Sequence, residues 1–174
     1  MNDRALLARK VAGVSHLRGT FRLRSGVESS EYFDKYRFEA EPEILREITE
    51  QLAKRLPPDY DALAGLEMGG IPIATMLAQV TGKRALFVRK QAKIYGTCKF
   101  AEGGEVNGRR LLIVEDVVTS GGQILESVAA LRGEGAIIDQ VACVIDRCAG
   151  SRENLQRAEL ALISLFSLED LRPE

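Results

Sequence analysis

From residue 61 onward, short apolar runs alternate with amphipathic segments, and this alternation leaves the chain few architectures. "DALAGLEM" (61–68), "KRALFVRK" (83–90), "RLLIVED" (110–116), "AIIDQVACVID" (136–146) and "ELALISLFS" (159–167) read as strands. "IPIATMLAQVTG" (71–82), "GQILESVAALRGEG" (122–135) and "RENLQRA" (152–158) read as the helices between them. Strands that are apolar almost throughout belong in a sheet covered on both faces. Helices between them make right-handed βαβ units, so the fold class is α/β with a mainly parallel central sheet.

Upstream, the pattern predicts a helix over about 3–13, two short strands at "TFRLRSG" (20–26) and "EYFDKYRF" (31–38), and a helix from Pro42 to about Arg55. Proline fits the first turn of a helix, and Pro57-Pro58 end this one. No repeat or linker divides the 174 residues, which suit one domain. The exception to the alternation is the loop "QAKIYGTCKFAEGGEVNG" (91–108). Irregular stretches of that length in a compact domain are usually functional or disordered.

Function classes are narrowed by what the chain lacks. A formal net charge of −1 gives no global attraction to nucleic acid or to an anionic membrane. No apolar run reaches the ~18 residues of a membrane span, and the charged N-terminus is unlike a secretory signal. Cys98, Cys143 and Cys148 show no CxxC spacing, which points to reduced thiols in the cytoplasm rather than a zinc site. His16, the only histidine, has no partners for a triad and reads as a surface residue.

The chemistry lies in "LLIVEDVVTSGGQ" (111–123). Ligands of open parallel sheets bind beyond the carboxyl ends of the strands, where Glu115 and Asp116 fall. Val117, Val118, Thr119, Ser120, Gly121 and Gly122 then lead into a helix whose first N–H groups suit a phosphate. Carboxylates only accept hydrogen bonds, so the acidic pair needs donors, and sugar hydroxyls near that phosphate supply them. A ribose 5-phosphate unit has this layout.

The string resembles the phosphoribosyl pyrophosphate signature of the type I phosphoribosyltransferases. That resemblance implies that Glu115 and Asp116 bind the ribose hydroxyls and that 117–122 bind the 5-phosphate. "VRKQAKIYG" (88–96), with Arg89, Lys90 and Lys93 near another strand end, resembles the RKxxKxHG catalytic loop of the orotate phosphoribosyltransferases. The resemblance implies a homodimer in which loop 91–108 reaches the neighbouring site, with Lys93 as the principal loop cation. Tyr95 replaces the usual histidine and stays neutral at pH 7, its ordinary pKa being about 10. "LEMGGIP" (66–72) takes the place of the pyrophosphate loop, with Met68-Gly69-Gly70 where many relatives carry a Tyr-Lys pair.

"FRLRSGVESSEYFDKYRF" (21–38) resembles the orotate-binding hood, which sets the N-terminal hood at about residues 1–40. Arg24 takes the place of a base-binding lysine, and an arginine can pair bidentately with a carboxylate. Tyr32 and Phe33 offer aromatic faces to a flat base. Arg147, after another strand, resembles the arginine that binds the base, with Asp146 expected to orient it. Ser151 is expected to cap the helix that follows.

The implied reaction transfers the phosphoribosyl group of phosphoribosyl pyrophosphate to orotate, with Mg²⁺ carried on the pyrophosphate. Two other readings stay open at this point: a related enzyme for another base, and a regulator that senses phosphoribosyl pyrophosphate.

Overall fold

The computed structural model describes residues 3–23, 26–93, 99–147 and 149–172. The chain runs α1 (Asp3–Ser15), β1 (His16–Arg22), β2 (Glu28–Phe33), α2 (Lys35–Ala40) and α3 (Pro42–Ala53). It continues through β3 (Ala62–Leu66), α4 (Gly70–Thr81), β4 (Arg84–Val88), β5 (Ala101–Glu102) and β6 (Arg110–Val118). α5 (Gly122–Gly133), β7 (Ile137–Asp146), α6 (Ala149–Arg157), β8 (Ala161–Ser167) and a 3-10 turn (Glu169–Leu171) complete it.

The six-stranded sheet has the order β5-β4-β3-β6-β7-β8. β3, β4, β6, β7 and β8 pair in parallel, and β5 pairs antiparallel with β4 at one edge. Successive residues of the central strands enter opposite cores, as a period of two requires. Leu63, Leu112 and Val114 face a core shared with α1, α3 and α4, while Ala62, Ala64 and Ile113 face one shared with α5 and α6. Residues such as Leu63 and Ile113 are fully buried, each stabilising the fold by roughly 1.5–3 kcal/mol. β1 and β2 form a separate antiparallel ribbon.

Strand order reverses between β3 and β6. From β3 the chain steps outward to β4, then returns to β6 on the other side and continues to β7 and β8. Such a reversal opens a crevice at the carboxyl ends of the two central strands, the usual ligand site of open α/β sheets.

Two expectations need correction. Residues 35–38, expected to extend the second N-terminal strand, form helix α2. Asp34 caps that helix, its Oδ1 accepting a hydrogen bond from Tyr36 N at 3.1 Å. The aromatic alternation of "YFDKYRF" imitates a strand, but Phe38 is fully buried in the core against α1 and α3 only from a helical turn. Loop 91–108 is not wholly irregular either, because Ala101–Glu102 close the edge of the sheet.

Candidate active site

A cleft of about 450 Å³ lies over the reversal, between the hood and the strand ends. Its floor is the end of β6. Glu115 and Asp116 sit there, 9% and 0% exposed, and the Glu115 Oε1 accepts from Asp116 N at 3.0 Å. Val117 N donates to Asp116 Oδ1 at 2.5 Å, and Val117 and Val118 still pair with β7. The turn that offers itself to an anion therefore begins at Thr119. Thr119 and Ser120 are exposed, and Gly121 takes a left-handed backbone (φ 80°) that few other residues adopt. The N-cap residue Gly121 has no side chain to cap α5, and apart from a long bond from Gly122 N to Ser120 Oγ at 3.4 Å its first N–H groups face the cleft with the positive end of the helix dipole. Asn154 Nδ2 braces this turn by donating to Ser120 O at 3.1 Å.

A second strand-to-helix turn closes the cleft from β3. Met68 is 57% exposed on its rim, and Gly69 packs against the acidic pair so closely that a Cβ there would lie 1.7 Å from Asp116 Oδ2. Gly70 begins α4, and a Cβ there would meet Val114 O at 2.2 Å. Two polar contacts tie the walls together: Gln123 Nε2 donates to Glu67 O at 3.2 Å, and Lys90 N donates to Glu67 Oε2 at 3.1 Å.

The like charges of the acidic pair are resolved by residues the sequence reading passed over. Lys35 on α2 places its Nζ 2.6 Å from Asp116 Oδ2. Glu39, one turn further along the same helix, is buried beside them. Burial, then the hydrogen bond and charge of Asp116, push the Glu39 carboxyl up to about 9. Burial and the Asp116 charge also lift Glu115 well above the carboxylate range. Burial would raise Asp116 as well, but hydrogen bonds from Glu115, Glu39 and Lys35 outweigh it and hold Asp116 low. The cluster therefore keeps its negative charge on Asp116 beside the Lys35 ammonium, while Glu39 and Glu115 are shifted toward their protonated forms. A carboxyl shifted that way gains donor character beside its acceptor role.

Of the cations expected from the stretch 88–96, Lys90 alone lines the cleft among the described residues. Arg89 and Lys93 turn to Glu102 on β5, at 3.6 and 2.5 Å. Tyr32 and Phe33 form the hood wall, and Arg147 stands opposite them with its N donating to Val118 O at 2.9 Å. Asp146 does not orient Arg147. Its carboxylate accepts from Ser151 Oγ at 2.8 Å and pairs with Arg152 Nε at 2.9 Å. Ser151 accordingly lies inside the first turn of α6 rather than capping it. His16 is exposed, its ring edge-on to Phe33 at 5.5 Å. Arg24 and Tyr95, with Cys98 and Cys148, lie outside the described residues. A larger cavity of about 580 Å³ beside α1 contains none of the expected site residues except the surface His16. Its size does not make it the site.

Residues 36–158 match the phosphoribosyl transferase domain family. The orotate phosphoribosyltransferase of Nocardioides sp. (strain ATCC BAA-499 / JS614) is 52% identical over 167 residues, covering 96% of this chain and 93% of the relative. The chain belongs to the orotate phosphoribosyltransferase family. The orotate phosphoribosyltransferase of Methanocaldococcus jannaschii is 40% identical, with 88% of each chain covered. The Mycobacterium tuberculosis H37Rv orotate phosphoribosyltransferase in complex with 5-phospho-alpha-D-ribosyl 1-diphosphate superposes with a TM-score of 0.84. It is 33% identical, covering 98% of this chain and 99% of that one. The likeness to these orotate phosphoribosyltransferases extends over the hood, which the domain match beginning at residue 36 leaves out. Signals for Lys35 and Glu39 were present in the sequence: Asp34 as a helix cap and a lysine and glutamate four residues apart.

Proposed function

We infer that this chain transfers the 5-phosphoribosyl group of phosphoribosyl pyrophosphate to orotate, giving orotidine 5′-phosphate and pyrophosphate in pyrimidine biosynthesis. The observation that carries the site assignment is the pairing, in one cleft, of an acidic floor with a glycine-capped helix start at the strand reversal. We propose that the turn Thr119–Gly122 holds the 5-phosphate, with Val117 and Val118 fixing the strand end beneath it. Glu115 and Asp116 take the ribose hydroxyls, and the negative charge of Asp116 favours the cationic character of the ring carbon as its bond to pyrophosphate breaks. Lys90 and the turn at Met68, Gly69 and Gly70 face the pyrophosphate. Tyr32 and Phe33 stack the base, while Arg24 and Arg147 meet its carboxylate and carbonyl oxygens. The base nitrogen, held at the ring carbon, forms the new bond from an oriented complex.

Mg²⁺ is proposed to reach the cleft on the pyrophosphate, where it would neutralise charge on the leaving group. The donor set fits that route, since both Asp116 oxygens already hold partners and Mg²⁺ favours phosphate oxygens and water. The protein is further proposed to work as a homodimer in the cytoplasm, with loop 91–108, its Lys93 and Tyr95, and Arg89 just ahead of it serving the neighbouring site. The turning of Arg89 and Lys93 away from their own cleft supports this reading. Among the described residues no helix is long and apolar enough to cross a membrane.

Loss of orotate absorbance on adding phosphoribosyl pyrophosphate and Mg²⁺ tests the reaction, with uracil, hypoxanthine and adenine as competing bases. Turnover with another base and none with orotate would overturn it. Mixing Lys93→Ala and Asp116→Asn proteins tests the shared loop, because mixed dimers regain one intact site. No regain of activity would place the loop in its own site.

A further inference from the structure

The hood reaches the acidic floor through one side chain. Lys35 lies on the cleft wall, its side chain 34% exposed, with Nζ 2.6 Å from Asp116 Oδ2 and 5.2 Å from the centre of the Tyr36 ring. The Asp116 side chain is enclosed on its other sides. Val117 N holds Oδ1, and Gly69 leaves room for Oδ2 that no other residue would leave. Buried ion pairs seldom stabilise a fold, because the cost of removing both charges from water offsets their attraction. This pair lies against the cleft, and Lys35 is the one ammonium paired with the acidic cluster among the described residues.

We propose that Lys35 is a positioning residue for the transfer reaction: its ammonium fixes the Asp116 carboxylate on the cleft floor and supplies its counter-charge, and so sets affinity for the sugar hydroxyls of the phosphoribosyl donor. The proposal rests on the reading of Asp116 as a sugar-binding carboxylate. Asp116 is faced by Lys35 and Glu39 from α2, by Glu115 on β6, by Cys143 on β7 and by the Gly69 backbone, while Lys90 and Arg147 line the same cleft without pairing with it. Remove the ammonium and none of the groups facing Asp116 is a cation. Asp116 then competes with Glu39 and Glu115 for protons at neutral pH, and a protonated carboxyl is a weaker acceptor for the sugar diol. The defect is relieved as pH rises and the proton leaves.

The experiment uses the full chain with Lys35→Met, Lys35→Gln and Lys35→Arg. Steady-state kinetics are combined with calorimetric binding of ribose 5-phosphate and of inorganic pyrophosphate, from pH 6.5 to 9. For Met and Gln the KM for phosphoribosyl pyrophosphate should rise about tenfold or more, as loss of a charged hydrogen bond implies. The KM for orotate should stay within about twofold, and ribose 5-phosphate should weaken in step while pyrophosphate does not. The deficit should shrink toward pH 9, and Arg should recover most of it. Unchanged KM for the donor overturns the proposal, as does equal weakening of pyrophosphate, which would place Lys35 on the diphosphate. A deficit that does not move with pH overturns it too. Asp116→Asn separates the two readings. If that variant binds ribose 5-phosphate normally, the sugar reading of Asp116 fails; if it loses binding while the Lys35 variants keep it, only the role of Lys35 fails.

Discussion

Lys93 Nζ lies 2.5 Å from Glu102 Oε1, so the loop lysine expected to do most for turnover is held against the edge strand β5. Arg89 approaches the same carboxylate, and the two cations keep the Glu102 carboxyl below its ordinary range. The contact is half-buried at the sheet edge, and an anionic substrate competes with Glu102 for the same two cations. Lys93→Ala should lower kcat by roughly a hundredfold or more, as loss of a transition-state donor does, with the melting temperature nearly unchanged. Glu102→Gln should preserve turnover or raise it by up to about threefold, since it weakens the hold of β5 on both cations. Stopped turnover in Glu102→Gln would show that the carboxylate has a direct part in the reaction.

Gly69 has no room for a side chain. A Cβ there would fall 1.7 Å from Asp116 Oδ2, so Gly69→Ala must displace either the carboxylate or the turn. Overpacking of this sort costs about 1–3 kcal/mol, and here it also moves the carboxylate proposed to hold the sugar. The variant should be less stable in urea and show a raised KM for phosphoribosyl pyrophosphate. A protein as stable and as active as the parent would mean that the turn yields freely.

Glu39 gives stability a pH dependence of unusual sign. Its carboxyl sits at about 9 in the folded protein against an ordinary value of 4.5, through burial first and then Asp116. Between those two values the folded state holds the proton more firmly than the unfolded chain, so stability falls as pH rises. Glu39→Gln mimics the protonated form. Its melting temperature should match the parent near pH 5 and exceed it progressively up to pH 9, measured by calorimetry. A constant difference across that range would deny the shift.

Arg147 lines the cleft and shares a smaller pocket with the hood residues Tyr32 and Phe33 that the turn 119–122 does not line. Arg147→Ala should raise the KM for orotate by about tenfold or more while leaving the KM for phosphoribosyl pyrophosphate within about twofold. The opposite pattern would move Arg147 to the donor.

Much of this site was legible because its parts are local. The run Leu111–Val114 announces a buried strand, and Glu115-Asp116 before Thr119–Gly122 marks where it ends and what it meets. Lys35 was not legible as a partner of Asp116, because the two are far apart in sequence and meet only when α2 docks over the sheet. Reading "EYFDKYRF" as a strand ended the element before Glu39 and hid the cap at Asp34 that makes Lys35 and Glu39 helical neighbours. β5 escaped for another reason. Two residues carry no periodicity, and their pairing with Phe87 and Val88 is a tertiary choice. Asp146 was assigned to its sequence neighbour Arg147, whereas the strand end directs it to Ser151 and Arg152.

The strand reversal has a consequence for how the protein can change over time. The segment 91–108 joins β4 to β6 across the neighbouring β3, so its ends are anchored by pairings that do not involve most of its own residues. Lengthening such a connection costs little, about 0.6 kcal/mol for each doubling. Insertions and substitutions there leave the central pairing and the acidic floor untouched. Turnover rate is thereby exposed to variation while the grip on the sugar phosphate is inherited intact.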